Sequence, residues 1–206
     1  MFKDLTKNEV KLLKKLSNPY KIQDWLNSIP QNFDETLLSP RRVMKYKKAH
    51  CIEGAIFAAL ALAYHGEKPL ILDLRASSKD FDHVVALYKI DGFWGAISKT
   101  NYPVLRFREP VYKSVRELVM SYFHEYAISK NGVKTLRDYS KPFDLSKVDP
   151  AWVTDEEELW DLAIALDESP HVKILSKKQI QKLRKLSEIE RRSSEMTEWA
   201  KPKKKK

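Results

Sequence analysis

Residues 51–66 read CIEGAIFAALALAYHG, a stretch rich in alanine, apolar nearly all round and followed by polar residues on both sides. A helix with no polar face has to be buried on most of its sides, and Gly66 stands where a left-handed C-cap residue closes such a helix. The reading therefore puts one buried helix at the centre of the fold, with Cys51 at its first position.

Working outward, Leu70-Ile-Leu-Asp-Leu74 after Pro69 reads as a strand, and His83 to Ile90 as a second after the polar loop 77–82. Asp91-Gly92 is a hairpin turn signal, so Phe93 to Ser98 is expected to return antiparallel. A loop with Asn101, Tyr102 and Pro103 follows, and Ser114-Val-Arg-Glu117 opens a capped helix running to about Ala127. Upstream, Thr6-Lys-Asn-Glu9 is a capping box for a helix carrying Val10, Leu12, Leu13 and Leu16. Asn18-Pro19 restarts the chain into a second helix that carries Tyr20, Ile22, Trp25, Leu26 and Ile29 and stops at Pro30. Residues 30–50 hold two prolines and a basic run, and are expected to wrap the surface.

A linker containing Gly132, Pro142 and Pro150 leads to a helix capped at Thr154 and running through Leu166. Ser176 opens a long amphipathic helix carrying Ile180, Leu183, Leu186 and Ile189. The order is helices, central helix, small antiparallel sheet, helices, which defines an α+β domain. The reading divides the chain into a domain over 1–150, a helical extension over 151–200 and a disordered Lys-rich tail over 201–206.

The chain has 206 residues and a net charge of +10. Residues 176–206 hold 12 Lys and Arg against 4 Glu, a net +8, which leaves +2 for the first 175. The basicity therefore belongs to the C-terminus and bears on partners rather than on the chemistry of the body. The opening MFKDLTKNEVKLLKK has no apolar h-region and the longest apolar run is far short of a bilayer span. A mean hydropathy of -0.51 agrees, and a cytoplasmic protein without membrane association is expected. A single cysteine excludes an intramolecular disulfide and a cysteine-based zinc cluster. The five histidines show no ligand spacing for a metal, and the 5 glycines fall in no nucleotide-binding pattern, so neither metal nor cofactor is expected.

What remains is a cysteine at the N-terminus of a buried helix and a histidine beginning the second strand after it. Helix N–H groups and their partial positive charge favour thiolate over thiol and can hold an oxyanion. An imidazole across the cleft would complete a nucleophile and base pair. The blocks AHCIEGAIFAALAL and DHVVALYKIDGFWGAISKTNY resemble the transglutaminase-like branch of the papain-fold cysteine enzymes, and the resemblance covers roughly residues 40–145. It looks closest to a group of prokaryotic proteins with the blocks AHCIEGA, WGAISKTN, LRFREPVY and TLRDYSKPFDL.

The resemblance implies Cys51 as nucleophile, His83 as general base and Trp94 as the tryptophan of the next strand. The family's aspartate falls on Ser98, which can orient an imidazole but carries no charge. Asn101 could take an asparagine role instead, and Asp82 or Asp73 could reach. Trp94 and Tyr102 are candidates to wall a substrate cleft, and Glu53 is a helix-face charge with a candidate substrate role. His50 reads as a local cap or surface residue rather than a second base. The enzyme reading is acyl transfer from a peptide or protein substrate to the thiol. The competing reading is an inactive fold that binds an acidic partner, RNA or DNA through its basic C-terminus, by salt-sensitive phosphate attraction.

Overall fold

The computed structural model describes residues 2–201. Three helices lead in: α1 (Lys7–Lys15), α2 (Pro19–Ser28) and α3 (Pro40–Tyr46), followed by the central α4 (Cys51–Tyr64). Strands β1 (Leu70–Ala76), β2 (His83–Ile90), β3 (Phe93–Ile97) and β4 (Arg108–Tyr112) come next, then α5 (Val115–Tyr122). The remainder holds β5 (Leu136–Ser140), β6 (Phe143–Asp144), α6 (Trp160–Asp167), β7 (His171–Lys173), α7 (Lys177–Gln181) and α8 (Glu188–Ser193). The fold is thus mixed helix and antiparallel sheet, the α+β class.

The expected caps form except at Thr154: that helix begins only at Trp160, after Leu159, which supplies no side-chain cap. Thr6 and Glu9 close a capping box on α1, Asn18 caps α2 with Pro19 in its first turn, and Ser114 caps α5. Asp91 and Gly92 both take positive φ, 51° and 82°, as a tight hairpin between two right-twisted strands requires. The strands form one sheet in the order β4-β3-β2-β1-β5-β7, with β6 on β1.

Because side chains alternate along a strand, the sheet separates two cores. Ile71, Val84, Ala86, Tyr88 and Ile97 face α4, which is buried from Glu53 to Leu62, together with Leu13, Ile22, Leu26 and Val43. Leu72, Leu74, Val85, Leu87 and Ala96 face the other way, onto Leu118, Val119 and Tyr122 of α5 and onto Tyr126 and Ile174. Phe57 of α4 lies with its ring centroid 4.3 Å from that of Trp25 of α2; truncating so buried an aromatic costs about 3–5 kcal/mol. Among the described residues no helix is long and apolar enough to cross a membrane.

Two regions differ from the sequence reading. Residues 30–50 do not simply wrap the surface: Leu37, Leu38, Val43 and Ala49 are fully buried and α3 packs on α4. Nor is 151–200 an appendage, because Trp152, Val153, Leu162 and Leu166 enter the first core and β7 pairs with β5. The single long helix expected from Ser176 is broken into α7 and α8, since the Leu186 N–H leaves the helical path to donate to the Gly132 carbonyl. Of the tail, Pro202 to Lys206 lie outside the described residues.

Candidate active site

Cys51 opens α4 as its first residue and is partly exposed. The first-turn N–H groups have no partner within the helix. β1 and β2 pair with Leu74 opposite His83, so His83 stands at the end of the sheet nearest the start of α4 and is buried. The close approach of α4 to the loop after β3 explains Gly54: a side chain there would meet the Lys99 Cβ at 2.5 Å.

The pairing of β2 with β3 aligns Ala86 with Ile97, and the chain continues to Ser98, whose Oγ lies 2.8 Å from His83 Nε2. The Ser98 hydroxyl donates its one hydrogen to the Leu105 carbonyl at 2.5 Å. It is therefore an acceptor toward the imidazole, which fixes the Nε2–H tautomer and leaves Nδ1 to exchange a proton with the thiol. Ser98 is itself gripped by Gln23, which takes the Ser98 N–H on Oε1 at 2.9 Å and donates Nε2 to the Ser98 carbonyl at 2.8 Å.

A second imidazole completes the group. His50 precedes α4, its Nε2 donating to the Thr36 carbonyl at 2.6 Å. Burial works against the charged form of His50, but the Cys51 sulfur and the Glu53 carboxylate outweigh it and raise its pKa to about 9. Burial likewise pushes the Cys51 thiol up, yet His50 and His83, both lying against the sulfur, hold it well below the ordinary thiol range. The two shifts together favour a thiolate beside an imidazolium over a thiol beside a neutral imidazole.

Glu53 is not a substrate-facing charge. It is fully buried and accepts from Asn32 Nδ2, Thr36 Oγ1 and the N–H groups of Leu38 and His50, all within 3.1 Å for at least one carboxylate oxygen. These bonds fasten the 31–39 segment to the start of α4, and Glu53 Oε1 stands 3.4 Å from His50 Nε2. Glu53 is thus a positioning residue for His50. Lys99 is buried as well, capping the end of α2 by donating Nζ to the Leu26 and Ile29 carbonyls at 3.0 and 2.6 Å. Its burial lowers the ammonium pKa to about 8.

The other residues named from sequence fall elsewhere. Asn101 does not orient His83; its side-chain amide is committed to the backbone of Trp199. Asp82 Oδ1 accepts from the Ala76 N–H at 2.7 Å. Asp73 Oδ2 faces His171 Nε2 at 3.2 Å, while His171 Nδ1 meets the Ser169 carbonyl at 2.6 Å. A carbonyl only accepts, so His171 Nδ1 carries a hydrogen and the Asp73–His171 contact needs one further proton. Burial foremost, opposed by His171 and reinforced by Asp82, raises the Asp73 carboxyl to about 6. Trp94 lies opposite Lys89 at the far end of β3, with the Lys89 ammonium 4.2 Å from its ring centroid. Four residues of strand, about 13 Å, separate it from Ser98, so it does not wall the site. Tyr102 is exposed on the loop beyond Asn101.

The role of Gln23 was missed in the sequence, and His50, which does take the N-cap position of α4, was not read as a partner of the thiol. His50 carried a signal, a histidine between a segment end and a cysteine with Glu53 three residues on. Gln23 carried none, since its partner lies 75 positions away. Comparison with protein-family models and with curated proteins finds no match for the chain.

Proposed function

We propose that this protein is a thiol-dependent acyl-transfer enzyme of the transglutaminase-like branch of the papain-fold superfamily, acting on a peptide or carboxamide carbonyl. The observation that carries the reading is the Cys51 thiol at a helix N-terminus with His50 and His83 against it and Ser98 fixing the His83 tautomer. The Cys51 thiolate attacks the carbonyl carbon, forming a C–S bond, and first-turn N–H groups of α4 receive the oxyanion. His83 Nδ1–H gives its proton to the leaving nitrogen as the C–N bond breaks. Neutral His83 then takes a proton from water, whose oxygen displaces the thioester sulfur to regenerate thiolate and release the acid. His50 stays protonated throughout and supports the thiolate. Water as the resolving nucleophile makes the enzyme a peptidase or amidase, while a lysine amine in its place makes it a crosslinking enzyme; hydrolysis is the favoured outcome.

The test is the pH dependence of Cys51 alkylation by iodoacetamide, with His83→Ala beside the wild type. Labelling with an apparent pKa well under the ordinary thiol value of about 8.5, raised in the variant, supports the pair. An ordinary pKa indifferent to His83 removes the enzyme reading. The alternative, a binding module without catalysis, draws on one observation: the Ser98 hydroxyl supplies His83 with an acceptor but no negative charge.

A further inference from the structure

We propose that the loop from Asn101 to Arg106 is a subsite that reads the backbone of a polypeptide, and that residues 198–201 of this chain, the C-terminal strap, occupy it as an intramolecular stand-in for that polypeptide. The inference rests on the acyl-transfer reading for what the bound polypeptide is for, but not for its binding.

Asn101 addresses the main chain of the strap and nothing else of it. The Trp199 N–H donates to Asn101 Oδ1 at 2.8 Å, Asn101 Nδ2 donates to the Trp199 carbonyl at 2.9 Å, and the Glu198 N–H donates to the Asn101 carbonyl at 2.9 Å. A side-chain amide paired with both polar groups of one residue repeats the bonding of a β-ladder, so any residue with an N–H satisfies it. Selectivity comes from the neighbouring position, where the Glu198 carboxylate lies 2.9 Å from Arg106 Nη2 and Arg106 Nε is held by the Tyr102 carbonyl at 2.8 Å. The occupant it fits is a bent segment, as Glu198 and Trp199 are here, with an acidic side chain just before the clamped residue.

The placement ties this subsite to the thiol. Asn101 stands three residues beyond Ser98, and Lys99 between them abuts Gly54 in the first turn of α4. The strap is thus fastened to the loop that follows the His83 partner.

What holds the strap is also what a substrate could replace. Among the described residues neither hydrophobic core takes in any residue from 194 to 201, and Glu198, Ala200 and Lys201 are exposed. Its attachment is a handful of hydrogen bonds and one ion pair, each of modest net strength, together with the half-buried Trp199 ring, whose Nε1 is buried. A tethered occupant of this kind competes through its effective concentration rather than its affinity.

The test uses the full chain and a fluorescein-labelled peptide of the sequence Ser-Glu-Met-Thr-Glu-Trp-Ala-Lys, residues 194–201, read by fluorescence anisotropy. Trp199→Pro removes the N–H that Asn101 Oδ1 accepts and frees the clamp without altering it. The peptide is expected to bind Trp199→Pro at least tenfold more tightly than wild type. Adding Asn101→Ala, or the milder Asn101→Asp that keeps the acceptor and loses the donor, is expected to reverse that gain. Equal affinity for wild type and Trp199→Pro, absence of binding to both, or a gain that survives both Asn101 substitutions overturns the proposal. Because the readout does not involve Cys51, an unreactive thiol in the alkylation experiment leaves this measurement standing.

Discussion

Gln23 and Ser98, 75 positions apart in sequence, are joined by two hydrogen bonds that run in opposite senses between one side-chain amide and one residue's backbone. The pairing sets the position of the hydroxyl on which His83 Nε2 rests. Gln23→Ala leaves a buried N–H and a buried C=O without partners, at a cost of about 2 kcal/mol, measurable by urea denaturation. If Gln23 acts through Ser98 and His83, the variant is also expected to shift the pH profile of Cys51 alkylation upward. Lost stability with an unmoved profile would reduce Gln23 to a packing role.

Ser98 is expected to resist replacement by the acid that the resemblance would put there. Its hydroxyl accepts from His83 and donates to Leu105, and a carboxylate can do the first but not the second. Ser98→Asp is therefore expected to lower the melting temperature at pH 7, where the carboxylate faces the Leu105 carbonyl. Ser98→Ala should cost about 1–3 kcal/mol for the unmet Nε2–H. A Ser98→Asp protein as stable as wild type would show that the site accommodates a carboxylate after all.

The thiolate and its imidazolium should leave a signature in stability. His50 is raised to about 9 in the fold, so its contribution is complete below its ordinary 6.5 and disappears as pH rises through 9. Cys51 is depressed, so its contribution is complete above the ordinary thiol range and disappears as pH falls through the folded value. Cys51→Ser is thus expected to lie closest to wild type at low pH, where the thiol is protonated, and to fall below it as pH rises through the folded value of the thiol. Thermal melts across pH 5 to 10 decide this; a gap independent of pH would mean no charged pair.

Asp73 has the opposite sign. Its carboxyl is raised from 3.8 to about 6, so the folded state holds a proton that the unfolded chain has released, and stability falls as pH climbs from 4 past 6. Asp73→Asn is expected to be neutral near pH 4 and stabilising at pH 8, by up to about 3 kcal/mol. Destabilisation at pH 8 would show that the ionised carboxylate is needed there by Arg75 and His171.

Much of the site's frame was legible because it is written locally. Alanine-rich residues 51–66 announce a buried helix, and the Asp91-Gly92 turn fixes the register that carries Ser98 alongside the end of β2. The same counting put Trp94 near the site only by analogy, whereas the register sends it to the far end of β3. What could not be read is non-local. The edge pairing of β5 with β7 joins Tyr139 to Val172, and strands of five and three residues leave too little alternation to recognise. The Glu53 network illustrates the same limit: one acidic residue on an apolar helix looks like a solvent-facing charge until Asn32, Thr36 and Leu38 are folded onto it.

The late entry of β7 and α6 into the structure has a consequence for synthesis. Trp152, Val153, Leu162 and Leu166 complete the core beneath α4, and β7 covers the edge of β5. While the ribosome is still translating residues 151–173, the emerging chain therefore holds a half-filled core and an open strand edge, both adhesive surfaces. Cys51 and His83 are made early, but their surroundings close only when the last third of the polypeptide arrives. Ribosome-bound fragments ending before Trp152 should accordingly be clients of chaperones rather than working sites.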